Sequence, residues 1–321
     1  MKRFSNILLI ADEGTDYSAA LKRAVTLARN NQARLTICAV VDSVPGDMQM
    51  AITAVTPAVL RDIAVSDKRD WLDGVVKSVP ADEAFLESKV LVGKPFIEII
   101  RQVLENDHDL IIKCTEEDGA PGRILFGSTD MHLLRKCPCP VWITKPIEHH
   151  RYRRILAAVD FDPKEAVKDA LNHKILEMST SLALAEFSEV HIVHAWELLG
   201  EAILKSPRSG TLNAELDLML EKEAIEREFW LEDLVNNYGV KGDKDAVDYV
   251  SPQLHLIKGP AKAVIPRKAR ELDVDLIVMG TVARSGIPGF FMGNTAESIL
   301  HQIDCSVLAV KPPGFVSPVS P

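Results

Sequence analysis

The stretch best suited to chemistry begins Gly280-Thr281-Val282-Ala283-Arg284 and closes on Met292-Gly293-Asn294-Thr295. Its glycines permit close backbone approach, and a helix starting at Asn294 or Thr295 presents unpaired N–H groups. With Arg284 as a nearby cation, these features suit a phosphate. A plain strand-to-helix loop has the same composition, and the residues alone leave both readings open. The corresponding stretch of the first half, from Cys114, ends in Gly127-Ser128-Thr129 but carries Glu116, Glu117 and Asp118 where a polyphosphate would lie. A carboxylate about 6 Å from a phosphate costs roughly 2–3 kcal/mol at an effective dielectric of about 20. No cation cluster in that loop offsets it, so the first half is expected not to hold a polyphosphate in this manner.

Other reactive residue types lead to less. Cys137-Pro138-Cys139-Pro140 has CxC spacing and no ligand partner following, so it reads as a turn entering a strand. His191 and His194 lie three apart on a strand, point to opposite faces and cannot chelate together. His149-His150 reads as a solvated hinge, and GxxxxGK[ST] does not occur. No catalytic residue and no metal ligand is assigned. Five cysteines without CxxC suit a reducing cytoplasm.

The elements that position these residues occur twice. Asn6-Ile7-Leu8-Leu9-Ile10-Ala11-Asp12 matches Arg154-Ile155-Leu156-Ala157-Ala158-Val159-Asp160. Val92-Gly93-Lys94-Pro95 answers Ile257-Lys258-Gly259-Pro260, and Asp109-Leu110-Ile111-Ile112-Lys113 answers Asp275-Leu276-Ile277-Val278-Met279. Asp12 and Asp160 lie 148 apart and Gly127 and Gly293 lie 166 apart, so the second copy is 18 residues longer. Continuous apolar runs such as Ile7 to Ala11 mark strands buried on both faces of a parallel sheet. Further strands are expected at Leu35 to Val41 and Val190 to Ala195. Helices are expected at about Val59 to Val79 and Leu212 to Asn237, and Asp162-Pro163-Lys164-Glu165 is a helix start. Strand and helix in alternation give right-handed βαβ units: two α/β domains, each a doubly wound parallel sheet. The boundaries are 1–147, 152–313 and a Pro-rich tail, 314–321, expected to be unordered. In such sheets ligands bind beyond the carboxyl ends of the strands, at the residues after strands one and four.

Composition narrows the function. Apolar residues make up 47%, charged residues 26% and the net charge is -9. Residues 1–150 carry 18 basic and 21 acidic side chains and the remainder 19 and 25, which argues against nucleic-acid binding. The longest apolar runs are far below the ~20 residues of a membrane span, and Met1-Lys2-Arg3 leads a run too short for a signal peptide. The expected location is the cytoplasm. Met48, Met50, Ile52, Val55 and Val59 form an apolar segment read as ordinary packing. Glu215 to Glu232, with Leu216, Leu218, Leu220, Ile225 and Phe229, reads as an amphipathic helix with a wet face and not as an acidic recognition site. Gly200 to Thr211 reads as a loop able to cover the second-copy site.

This order of motifs, repeated in both halves, resembles the universal stress protein family, and two copies in one chain look like its tandem, E-type members. The resemblance implies a five-stranded parallel sheet of order 3-2-1-4-5 (Rossmann-like) in each domain. The family's ATP-binding members carry Gly-x2-Gly-x9-Gly-Ser/Thr; here the second copy reads Gly280-x2-Ala283-x9-Gly293-Asn294, with Thr295 next. Alanine replaces the second glycine and asparagine the hydroxyl, which weakens the match. By resemblance Asp160 faces ribose or adenine and Ala195 offers backbone hydrogen bonds to adenine. Gly280, Gly293, Asn294 and Thr295 hold the phosphates, with Met279, Ala283 and Arg284 completing the set. The implied cofactor is ATP, or ADP or AMP, with Mg²⁺. The implied function is a stress-response regulator and not an efficient enzyme. A slow ATPase and a binder of an apolar or carbohydrate-bearing metabolite through the first domain are the alternatives. The resemblance also implies an intramolecular pseudo-dimer through Val141 to Thr144 and Val307 to Val310, with a further homodimer left open.

Overall fold

The computed structural model describes residues 4–42, 56–80, 85–115, 126–145, 151–161, 166–206, 212–241, 244–281 and 292–321. They form two compact units, dividing near residue 148. In the first, β1 (Asn6–Ile10), α1 (Ser18–Asn31), β2 (Arg34–Val41), α2 (Pro57–Lys77), β3 (Phe85–Val92), α3 (Pro95–Asn106), β4 (Leu110–Cys114), α4 (Ser128–Lys136) and β5 (Val141–Thr144) alternate along the chain. All neighbouring strands are parallel, in the order β3-β2-β1-β4-β5. The second unit holds β6 (Arg154–Ala158), α5 (Ala166–Glu186), β7 (Glu189–Trp196), α6 (Glu201–Leu204), α7 (Asn213–Lys241), α8 (Lys244–Val250), β8 (Gln253–Lys258), α9 (Ala261–Glu271), β9 (Leu276–Gly280), α10 (Asn294–Leu300) and β10 (Ser306–Val310). Its order, β8-β7-β6-β9-β10, repeats the first.

Every residue of β1, β4 and β10 is buried, as expected of strands covered on both faces. Sheet order fixes the covering. Moving from β1 to β2 to β3 by right-handed crossovers puts α1 and α2 on one face; the return through β4 to β5 puts α3 and α4 on the other, where they pack together. The repeated glycines have a backbone reason. Gly93 and Gly259 take φ of 141° and 138°, and each N–H donates to the preceding strand's end, at Val41 and Trp196. The turn into α3 and into α9 therefore needs glycine.

The longer second copy is explained by its helices. α5 has 21 residues against 14 in α1, α7 has 29 against 21 in α2, and α8 has no counterpart among the described residues. Expected α7 ended at Asn237; it runs on to Lys241. Its inward face is Leu216, Leu231, Leu234 and Tyr238, whereas Leu218, Ile225 and Phe229 are exposed. That corrects the expectation of a plain wet face. The helix start at 162–165, the apolar segment up to Val55, the acidic residues 116–118 and the hinge at 149–150 lie outside the described residues. The tail is described: Phe315–Pro321 belongs to the first compact unit, where the Arg101 Nε donates to the Ser320 carbonyl at 3.4 Å.

The histidine expectation holds. On the face of the second sheet toward α9, the His191 Nδ1 lies 3.1 Å from the His255 Nε2. His194 faces the other way, with its Nδ1 3.2 Å from the Val159 carbonyl. Burial, then the charges of Lys268 and of His191, push the His255 ring down to about 4; burial also lowers His191, opposed by Glu189. Above the ordinary histidine value of about 6.5 both folded and unfolded chains carry the neutral ring. As pH falls below that value the unfolded chain takes the proton first, so the pair's contribution to stability is lost between about 6.5 and 4. Urea unfolding at pH 7 and pH 5 is expected to show a smaller acid loss in His255→Gln than in the wild type.

Candidate functional site

Register brings the second-copy residues to one edge of the sheet. Ala158 lies beside Val193 on one side and Met279 on the other. One step beyond, the Val159 N–H donates to the Val193 carbonyl at 3.1 Å, so Asp160 stands between the end of β7, with Ala195, and the end of β9, with Gly280. The Gly293 N–H donates to the Thr281 carbonyl at 3.1 Å, which ties the start of α10 to the same edge. Asp160, Ala195, Gly280, Gly293, Asn294 and Thr295 are thus assembled. Met279 is buried within its strand, so its side chain belongs to the core. Ala283 and Arg284 lie outside the described residues.

Local packing explains several identities. Buried Asn172 of α5 clamps the Asp160 backbone: its Oδ1 accepts from the Asp160 N–H at 3.1 Å and its Nδ2 donates to the Asp160 carbonyl at 2.8 Å. In the first unit the equivalent Asp12 serves its own turn, its Oδ1 accepting from the Gly14 N–H at 3.2 Å. A side chain at Gly280 would place Cβ 2.8 Å from the Leu171 Cδ2, so that glycine admits α5 against β9. Gly280 has ordinary φ, so a side chain there would need only the Leu171 side chain to shift.

The two helix starts differ. In the first unit Asp130, 0% exposed, sits at the third position of α4 and its Oδ2 accepts from the Gly127 N–H at 3.1 Å. Its Oδ1 lies 2.9 Å from the Lys113 Nζ, a buried ion pair. The start of α4 is therefore served by a carboxylate of the chain itself. Repeat register equates Lys113 with Met279 and Asp130 with Ala296, so the second unit has an apolar pair at these positions. Among the described residues α10 lacks the Asp130-type capping box of α4, its Gly293 N–H going to the Thr281 carbonyl, and Asn294 and Thr295 at its start are exposed.

Two features escaped sequence reasoning. Lys311, 1% exposed, follows β10 and its Nζ donates to the buried Thr281 Oγ1 at 2.5 Å. Its counterpart Lys145 is also buried, with Nζ 4.8 Å from the Phe126 ring centre. The repeated Lys-Pro after the last strand, at 145–146 and 311–312, was the available signal. The second is an aromatic cluster beside Asp160. The Phe161 and His194 rings lie 4.9 and 5.1 Å from the Trp230 ring of α7, and the Arg227 guanidinium lies 5.7 Å over Phe161 and 5.2 Å over Trp196. Cation–π and ring contacts of this kind anchor α7 to the ends of β6 and β7. The first unit has Glu13, Ala39 and Val41 at the positions of Phe161, His194 and Trp196.

Cys137 and Cys139 are buried free thiols with sulfurs 3.5 Å apart, in keeping with a turn into β5. Of the loop expected to cover the site, α6 is described and 207–211 is not. No helix among the described residues is long and apolar enough to cross a membrane.

Comparison with known proteins bears on both units. The model of the universal stress protein family matches residues 3–145 and 151–311. The chain is 29% identical to Universal stress protein E of Escherichia coli (strain K12) over 322 residues, 99% of this chain and 98% of that one. A crystal structure of a functionally unknown protein from Pseudomonas aeruginosa PAO1 matches with a TM-score of 0.65 and 24% identity, covering 98% of this chain and 95% of that one. A universal stress protein from Archaeoglobus fulgidus DSM 4304 matches with a TM-score of 0.60 and 19% identity, covering 95% and 98%.

Proposed function

The chain belongs to the universal stress protein family as a tandem two-domain member, and from that premise we propose that its second domain binds ATP or a related adenine nucleotide. The supporting observation is the difference between the helix starts. α4 is served by Asp130 and its Lys113 partner, whereas α10 has Ala296 at that position, shows no capping box among the described residues and lies on the same strand edge as Asp160 and Ala195. In this reading the first turn of α10 takes phosphate and the ends of β6 and β7 take the nucleoside, with the Lys311 side chain behind Thr281. We read Asp160 and Glu297 as the carboxylates that would meet Mg²⁺ or orient water. Two carboxylates without a Walker lysine favour holding the nucleotide over turning it over.

We place the protein in the cytoplasm as a nucleotide-responsive regulator, its two domains acting as an intramolecular pseudo-dimer. Five buried cysteines, none of them in a disulfide, are consistent with a reducing compartment. A second reading has one specific observation in its favour. A hollow of about 660 Å³ in the first unit is lined by Leu21 and Val25 together with Lys22 and Arg29 of α1 and by Ser78 to Pro80, a size and chemistry suited to a small amphipathic ligand. Mass spectrometry of the purified, gently denatured protein separates the readings. Co-purifying ATP supports the regulator, ADP supports a slow ATPase, and a lipid or sugar nucleotide supports the first-domain binder.

A further inference from the structure

The outward face of α7 carries a feature that folding of its own domain does not require. Leu218, Ile225 and Phe229 are 67%, 59% and 71% exposed. Their spacing of seven and four residues keeps them within about 40° of arc on a helix of 3.6 residues per turn, a continuous stripe about 16 Å long. The opposite face, through Leu216, Leu231 and Leu234, already supplies the packing that holds α7 in place, and Trp230 and Arg227 add their ring contacts. Single exposed apolar side chains are ordinary, but three in register on one helix mark a contact surface.

Charge selects the occupant. Glu221, Glu228 and Glu232 run along one side of the stripe, and all three are exposed. Glu215, Glu226 and Asp233, also exposed, run along the other, where Lys222 is the basic residue among them. A second copy laid on this face would set carboxylate against carboxylate, and an anionic phospholipid headgroup layer would meet the same repulsion. A segment with apolar residues at helical spacing and lysines or arginines beside them meets both the stripe and its rims. We infer that the outward face of α7 docks a cationic amphipathic helix of another protein, with Leu218, Ile225 and Phe229 receiving its apolar stripe.

The test uses the full chain and a labelled Leu/Lys peptide of about 18 residues patterned as an amphipathic helix, with a scrambled peptide of identical composition as control. Fluorescence anisotropy is expected to show the patterned peptide binding at least about ten-fold tighter than the scrambled one. The triple variant Leu218→Gln, Ile225→Gln, Phe229→Gln is expected to erase that difference with thermal unfolding unchanged. Glu221→Gln, Glu228→Gln, Glu232→Gln is expected to weaken binding of both peptides and flatten its salt dependence. Equal affinity for the two peptides, or a preference that survives the Gln triple variant, overturns the inference. So does sedimentation showing a dimer that the same triple variant dissociates, because the occupant is then a second copy.

Discussion

Lys113→Met is expected to lower the stability of the first domain by about 3–5 kcal/mol, the usual consequence of leaving one partner of a buried ion pair alone. The Asp130 carboxyl it strands is fully buried and keeps the Gly127 N–H as its backbone donor. Against a typical domain stability of about 5–15 kcal/mol, the loss is large enough to shift the whole unfolding curve. The repeat itself supplies the remedy. At the same two positions the second domain has Met279 and Ala296, so the double variant Lys113→Met, Asp130→Ala recreates a pairing that this fold already packs. It is expected to recover most of the loss, since replacing a buried ion pair by apolar residues is often neutral or stabilising. Urea unfolding of the full chain reads both. A single variant within about 1 kcal/mol of wild type, or a double variant worse than the single, contradicts the account of the buried pair.

The second large effect concerns the ligand. Asn294→Asp places a carboxylate in the first turn of α10, where the nucleotide's phosphates are expected. At about 5 Å and an effective dielectric of about 20 the repulsion is roughly 3 kcal/mol, a loss of about 100-fold in affinity. Ser128→Asp makes the matching change at the start of α4, already served by Asp130, and is expected to leave ATP affinity unchanged. Isothermal titration of ATP into the two full-length variants makes the comparison. Equal losses, or a loss confined to Ser128→Asp, assign the site to the wrong helix.

What the sequence disclosed was the part governed by short-range pattern. Doubly buried strands show as unbroken apolar runs, so Ile7 to Ile10 and Ile155 to Ala158 were legible with nothing else in view. The duplicated motifs gave the domain organisation, and sheet order followed from the resemblance they carry. Gly93 and Gly259 showed as a repeated pair before their positive φ gave the reason. The residues named for the site were read from strand ends and from the segment between β9 and α10, and strand register sets Asp160, Ala195 and Gly280 at one edge of the sheet.

The unread part depends on pairings that periodicity does not encode. Lys113 and Asp130 lie on different elements, and nothing in either segment shows that the ammonium turns toward the carboxylate. Gly280 reads locally as a phosphate-loop glycine, and the sequence does not show that a Cβ there would also meet Leu171 of a helix more than a hundred residues earlier. In α7, Leu216, Leu218 and Leu220 are spaced so closely that they cannot all face the core. Only the docked helix shows that Leu216 is buried and Leu218 exposed. The cluster of Phe161, His194 and Trp230 joins three elements and has no local signature.

The central claim is that one nucleotide binds per chain, at the strand ends of the second domain. Photolabelling the full chain with an azido-adenine analogue of ATP, followed by peptide mapping, tests it most directly. The account predicts about one label per chain, competed by ATP and confined to peptides containing 154–161, 189–204, 276–281 or 292–300. Competed label in peptides containing 6–17 or 34–42 would contradict it.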